Sequence, residues 1–107
     1  MADEERFGGL RKGLLEFAIL RVIEGSSVYV ADILAKLSTT PFATQEGTLY
    51  PLLSKLRREE LLDYEWVESD QGPPRKYYRL TPKGAARLED LSAYWRHLDS
   101  TLENLGR

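Results

Sequence analysis

The sequence has no cysteine, which excludes disulfides, thiolate metal sites and cysteine nucleophiles, and it is compatible with a reducing, cytoplasmic setting. Histidine is nearly absent as well. His97 stands alone, with no cluster of ligand-type residues around it, so neither a metal site nor a cofactor is expected. No glycine-rich phosphate loop and no nucleophile–base arrangement occurs. The paired acids Glu59–Glu60 and Glu89–Asp90 adjoin arginines and read as solvated helix faces, so an enzyme is the least expected class. No apolar run approaches the roughly 20 residues of a membrane span. The opening MADEERFGGLRKG lacks the apolar core of a signal peptide. Basic excess is missing too: the net charge is −2 and the pI about 5.4. A nucleic-acid binder usually carries a basic footprint, but distribution matters more than the sum. Glu59, Glu60, Asp63, Glu65, Glu68 and Asp70 follow one another with no base between them. Arg75, Lys76, Arg79, Lys83 and Arg87 then follow with no acid.

What is present fits one domain of 107 residues. Residues 1–8 read as a flexible lead-in, 9–80 as the main domain and 81–107 as a terminal helix. Gly13 to Glu24 predicts a helix apolar on most sides, stopped by Gly25. Ser26 and Ser27 can cap a second helix, about Tyr29 to Leu37, with Ile33, Leu34 and Leu37 inward.

Gln45 to Glu60 is the most informative segment. Leu49, Leu52, Leu53 and Leu56 make one apolar face of a third helix, with Thr44 a candidate N-cap. The opposite face carries Thr44, Gly47, Thr48, Pro51, Ser54, Lys55 and Arg58, and nothing bulky or acidic. Such a face can press on a polyanion: small residues allow close approach, hydroxyls donate, and cations follow the backbone. Pro51 either bends this helix or marks its true start near Thr48.

Leu62 to Ser69 alternates as a strand, Asp70 to Pro74 is a turn, and Arg75 to Leu80 is a returning strand. Tyr77 and Tyr78 must point to opposite faces, one core and one exposed. Trp66 reads as packing within this hairpin. Thr81 is an N-cap with Pro82 behind it, opening a helix to about Leu105. Leu88, Leu91, Trp95, Leu98, Leu102 and Leu105 recur at 3, 4, 3, 4, 3 along it, a seam suited to dimerisation.

The elements EGTLYPLLSKLRREELL (46–62), WVES and GPPRKYYRLTPKG (72–84), in this order and spacing, resemble the PadR-like transcriptional regulators. Within them the chain is similar to the short subfamily with a single C-terminal helix. The resemblance implies a mainly α fold with a small β wing (α+β), a winged helix-turn-helix with a long C-terminal dimerisation helix. It also implies a cytoplasmic homodimer binding palindromic double-stranded DNA, usually as a repressor, with half-sites about one helical turn apart, roughly 34–36 Å. Gln45, Gly47, Thr48 and Tyr50 are then candidates for groove contact, although burial of Tyr50 against the wing suits it equally. Lys55, Arg58, Arg75 and Lys76 are candidates for phosphates, with Gln71 beside them at the wing tip. Some family members stack aromatic or cationic compounds on a terminal-helix tryptophan, a role that falls to Trp95 beside the plainer one of a dimer-core aromatic. Two rival expectations remain: a ligand sensor with DNA as its output, and a protein-binding winged helix that the acidic charge would suit.

Overall fold

The computed structural model describes residues 2–107, and side chains from residue 5 onward. Six elements follow in order: α1 Ala2–Ile23, α2 Val30–Leu37, α3 Glu46–Arg58, β1 Leu62–Ser69, β2 Gly72–Leu80 and α4 Pro82–Leu105. α1 starts eleven residues before the expected helix, so residues 2–8 of the expected lead-in are helical, while Met1 lies outside the described residues. Gly25 ends α1 as expected, with φ +88°.

The expected serine caps on α2 are not used. Val28 pairs instead with the second strand: its N–H donates to Tyr78 O at 2.9 Å, and Tyr78 N–H donates to Val28 O at 2.6 Å. Extended backbone therefore separates Ser27 from the helix. Tyr29 becomes the N-cap residue, and its N–H donates to the Asp32 carboxylate at 3.2 Å. In α3 the N-cap is Gln45 rather than Thr44. Pro51 does not mark the start of the helix but sits inside it, and deprives the Gly47 carbonyl of its intrahelical donor.

β1 and β2 form one antiparallel pair in register from Leu62↔Leu80 to Val67↔Arg75, with an irregularity before Ser69↔Gly72. The turn is shorter than expected, and Pro73 and Pro74 lie in β2. A two-stranded sheet has only edges, where proline is tolerated. Tyr78 is buried, and Tyr77 is half-buried against Tyr29 rather than exposed, with ring centroids 5.4 Å apart.

Ile19, Leu20 and Ile23 of α1, Ile33 and Leu37 of α2, and Leu49, Leu53 and Leu56 of α3 form the core with Leu61, Leu62, Tyr78 and Leu88. The end of α3 and the start of α4 are locked together beneath it. Glu60 takes φ 64°, Leu61 N–H returns to Leu56 O at 2.9 Å, and Glu60 N–H to Arg57 O at 2.9 Å. These two bonds are the Schellman pattern of a helix end. Thr81 Oγ1 donates to Glu60 O at 2.6 Å and accepts from Gly84 N–H at 2.9 Å, the cap expected of it. A Cβ on Gly84 would stand 2.0 Å from Leu61 O.

Both neighbours of that contact are backbone, so Gly84→Ala should cost about 3 kcal/mol or more of stability, read as a lower urea midpoint. Glu60→Gly should instead leave stability unchanged or raise it by about 1 kcal/mol, since it removes a left-handed residue with a Cβ. A midpoint for Gly84→Ala equal to wild type would refute this picture of the joint.

Candidate nucleic-acid interface

α3 buries Leu49, Leu53 and Leu56, and its opposite side is open: Gly47, Pro51, Ser54 and Arg58 form an exposed stripe. A Cβ added at Gly47 would meet nothing within 4 Å. Gln45, Thr48 and Tyr50 are also exposed. The two flanks of the stripe face different neighbours. On one flank, Thr44 and Thr48 line a cleft with Arg11 and Lys12 of α1. Two turns further along that flank, Lys55 binds the Glu16 carboxylate of α1. That hydrogen bond, and then the carboxylate's charge, raise the Lys55 pKa above the ordinary lysine value, so it stays a cation throughout the neutral range. Lys55, a candidate for phosphate contact, is thus engaged in an exposed inter-helix ion pair.

On the other flank, Tyr50 opens into a cleft of about 380 Å³ shared with Tyr29, Trp66, Arg75 and Lys76. Arg57 stacks on Tyr64 of β1 at 4.6 Å. Arg75 and Lys76 are not at the wing tip. They pair with Val67 and Trp66 in mid-strand, and the tip carries Glu68, Asp70 and Gln71. Both cations are held by aromatic faces: Arg75 is 4.8 Å from the Tyr29 ring centroid, and Lys76 is 4.5 Å from that of Tyr64 and 5.4 Å from that of Trp66. Trp66, read as packing, is 61 % exposed. No exposed glutamate or aspartate lines this cleft.

The acidic and basic runs of the sequence meet across the hairpin. Arg79 reaches Asp63 at 3.3 Å and Glu65 at 3.5 Å. These exposed pairs cancel charge more than they stabilise. Arg58, Arg75 and Lys76 form no ion pair among the described residues. Arg57, Tyr29, Trp66, Arg11 and Lys12 belong to this surface and were not picked out for it in the sequence. The spacing of Arg57 on the Tyr50 side of α3 was the one signal available. Arg11 and Lys12 lay between the expected lead-in, 1–8, and the expected helix from Gly13.

The seam of α4 divides. Leu88 is buried in the chain's own core, a correction to its expected place in a dimer contact, and Leu91 packs partly against that core. Trp95 and Leu98 are 39 % and 38 % exposed, Leu102 and Leu105 67 % and 75 %. Trp95 lines a pocket of about 290 Å³ with Leu14, Phe17, Ala18, Phe42 and Arg21. Arg21 is fixed there by Ser92 Oγ at 2.6 Å and Glu24 at 3.0 Å. Leu14 and Phe42 continue from it into a second apolar trough with Phe7 and Leu10. Among the described residues no metal-binding cluster exists, and no helix is long and apolar enough to cross a membrane.

The fold has close counterparts. A PadR-like transcription factor from Bacteroides fragilis is 46 % identical, with TM-score 0.81 over 94 % of this chain and 98 % of that one. A PadR-like transcriptional regulator from Bacillus cereus is 37 % identical, with TM-score 0.80 over 91 % and 95 %. The transcriptional regulator Rv3488 of Mycobacterium tuberculosis is 32 % identical over 80 residues, 75 % of this chain and 74 % of that protein. The model of the transcriptional regulator PadR-like family matches residues 19–90, from the last turns of α1 into α4. With that match, a winged helix and an open α3 stripe, the chain belongs to the PadR-like family of transcriptional regulators, not to an enzyme family.

Proposed function

We propose that the chain works as a homodimer that binds a palindromic operator in double-stranded DNA and represses transcription. The observation that carries DNA binding is the α3 stripe of Gly47, Pro51, Ser54 and Arg58, open to solvent and bordered by the Arg75–Lys76 cleft of the wing. Gln45, Thr48 and Tyr50 reach base edges from it, and Arg58, Arg75 and Lys76 reach phosphates. The dimer is supported by the outer end of α4, where Leu102 and Leu105 remain 67 % and 75 % exposed in one chain. The Phe7–Leu10–Phe42 trough of a second copy supplies cover for them. The Trp95 pocket supports a second role, binding a flat aromatic effector between the subunits. Its apolar walls suit a ring, whereas Arg21 at its edge opposes a cationic one.

Protection of a site upstream of the chain's own gene tests the reading, together with the rise in a reporter from that promoter when the chain is deleted. Gly47→Ala should leave stability equal or higher by up to about 1 kcal/mol, because nothing in the fold occupies that space. Its affinity for the protected site should nevertheless fall. Arg75→Ala with Lys76→Ala should weaken binding to every duplex and flatten the salt slope, and Thr48→Ala should erode discrimination between operator and random DNA. Unchanged DNA affinity in all of these variants would sink the assignment.

Leu98→Lys with Leu102→Lys should convert dimers to monomers in sedimentation equilibrium, or leave the chain unfolded. A wild-type monomer at high concentration refutes the dimer. For the effector, Trp95→Ala should abolish quenching of tryptophan fluorescence by neutral planar aromatics while operator binding largely survives. If no such compound quenches the wild type, Trp95 is a core residue only.

A further inference from the structure

α1 contributes to the same surface as α3, and its early start is what brings it there. Its second and third turns pass the beginning of α3, where Arg11 and Lys12 line a cleft of about 240 Å³ with Gly8, Leu15, Thr44 and Thr48. The Arg11 guanidinium leans back over Gly8, 3.9 Å from where a Cβ would stand. Neither cation has an ion-pair partner among the described residues. Glu16, the next acid along α1, is already taken by Lys55. The cleft therefore gathers two uncompensated cations and two hydroxyls around an apolar floor, a donor set for a compact anion with oxygens on several sides.

Its position identifies the anion. The major groove is about 12 Å wide between its two phosphate walls, and a helix with its side chains is roughly 10–12 Å across. A helix lying in the groove thus has a backbone strand close on each side. The wing cleft with Tyr50, Arg75 and Lys76 lies on one flank of α3, and the Arg11–Lys12 cleft lies on the other. We infer that Arg11 and Lys12, with Thr44, grip a phosphodiester of the DNA strand on the side of α3 away from the wing. This rests on the DNA-binding reading above and adds a second wall to it. α3 is then clamped between two strands rather than pressed from one side.

The experiment uses full-length protein, a duplex from upstream of its own gene and an unrelated duplex of equal length. Binding is measured from low to moderate salt. Arg11→Gln and Lys12→Gln should each weaken binding to both duplexes alike. In a dimer the two clefts hold two phosphates, so Arg11→Gln combined with Lys12→Gln should flatten the slope of log affinity against log salt by about 1.8, at roughly 0.9 per phosphate, and each substitution alone by part of that. Arg11→Lys keeps the charge and should keep most of the slope. Circular dichroism of each variant should match wild type, since glutamine is a good helix former at half-buried Arg11 and exposed Lys12. If the glutamine variants keep the wild-type slope while Arg75→Ala and Lys76→Ala flatten it, the α1 clamp is wrong and DNA binding stands. If Arg11→Lys loses as much as Arg11→Gln, the charge is not what acts, and the clamp is overturned. Calorimetric binding of inorganic phosphate that depends on Arg11, with an unchanged DNA slope, would make the cleft a free-anion site and overturn it too. If the wild type binds neither duplex, both readings fall together.

Discussion

The close approach of Leu61 to Gly84 is the constraint on which the remaining geometry depends. Leu61 is at once the last residue of the turn that ends α3 and the residue before β1, and its carbonyl accepts from Thr81 N–H at 3.1 Å just ahead of α4. Three elements are therefore referenced to one peptide group. Because nothing larger than hydrogen fits on Gly84, α4 can lie flat against this peptide. The angle between α3 and α4 then follows from backbone contact rather than from adaptable side-chain packing. In a two-fold assembly built on α4, that angle determines how far apart two copies of α3 are held.

Around this joint the surface chemistry is divided by the helical repeat of α3. Residues 100° apart face different neighbours: Thr48 and Lys55 turn to α1, Tyr50 and Arg57 turn to the wing, and the Gly47–Arg58 stripe between them faces solvent. The cations on the wing are held at aromatic faces. Contacts of this kind are worth about 0.5–1 kcal/mol at exposed sites, and they restrict long side chains that would otherwise lose entropy on meeting a ligand. The acidic net charge matters less than its placement: Asp63 and Glu65 share Arg79 across the hairpin, and no acid lines the Arg75–Lys76 cleft.

Much of the fold could be read from the chain because its signals were local. The leucine face of α3, the alternation of β1, the Thr81–Pro82 cap and the stop at Gly25 each follow from neighbours a few residues apart. What escaped depended on contacts distant in sequence. The serine caps failed because Val28 is claimed by Tyr78, fifty residues later. The Lys55–Glu16 pair joins two helices and has no local signal. Leu88 fitted the heptad seam but is held in the chain's own core, at the point where α4 leaves the domain. The glycines of α1 disguised its first half, since intrinsic preference disfavours a helix there and the acidic first turn is a weak counter-signal. Arg11 and Lys12 were overlooked for the same reason.

The pairing of Val28 with Tyr78 has a mechanical consequence. At its root the hairpin is effectively three-stranded and carries a core residue, so bending there would have to pull on the lead-in to α2 and on the buried ring together. Beyond Arg75 and Val67 only the pairing of the two strands, ending at Ser69↔Gly72, is left. Stiffness therefore falls along the hairpin, from a root as rigid as the core to a compliant end. Amide exchange in such an element would be graded in the same direction. An appendage built this way can follow local irregularities of a surface with its outer half while transmitting almost none of that displacement to the body that carries it.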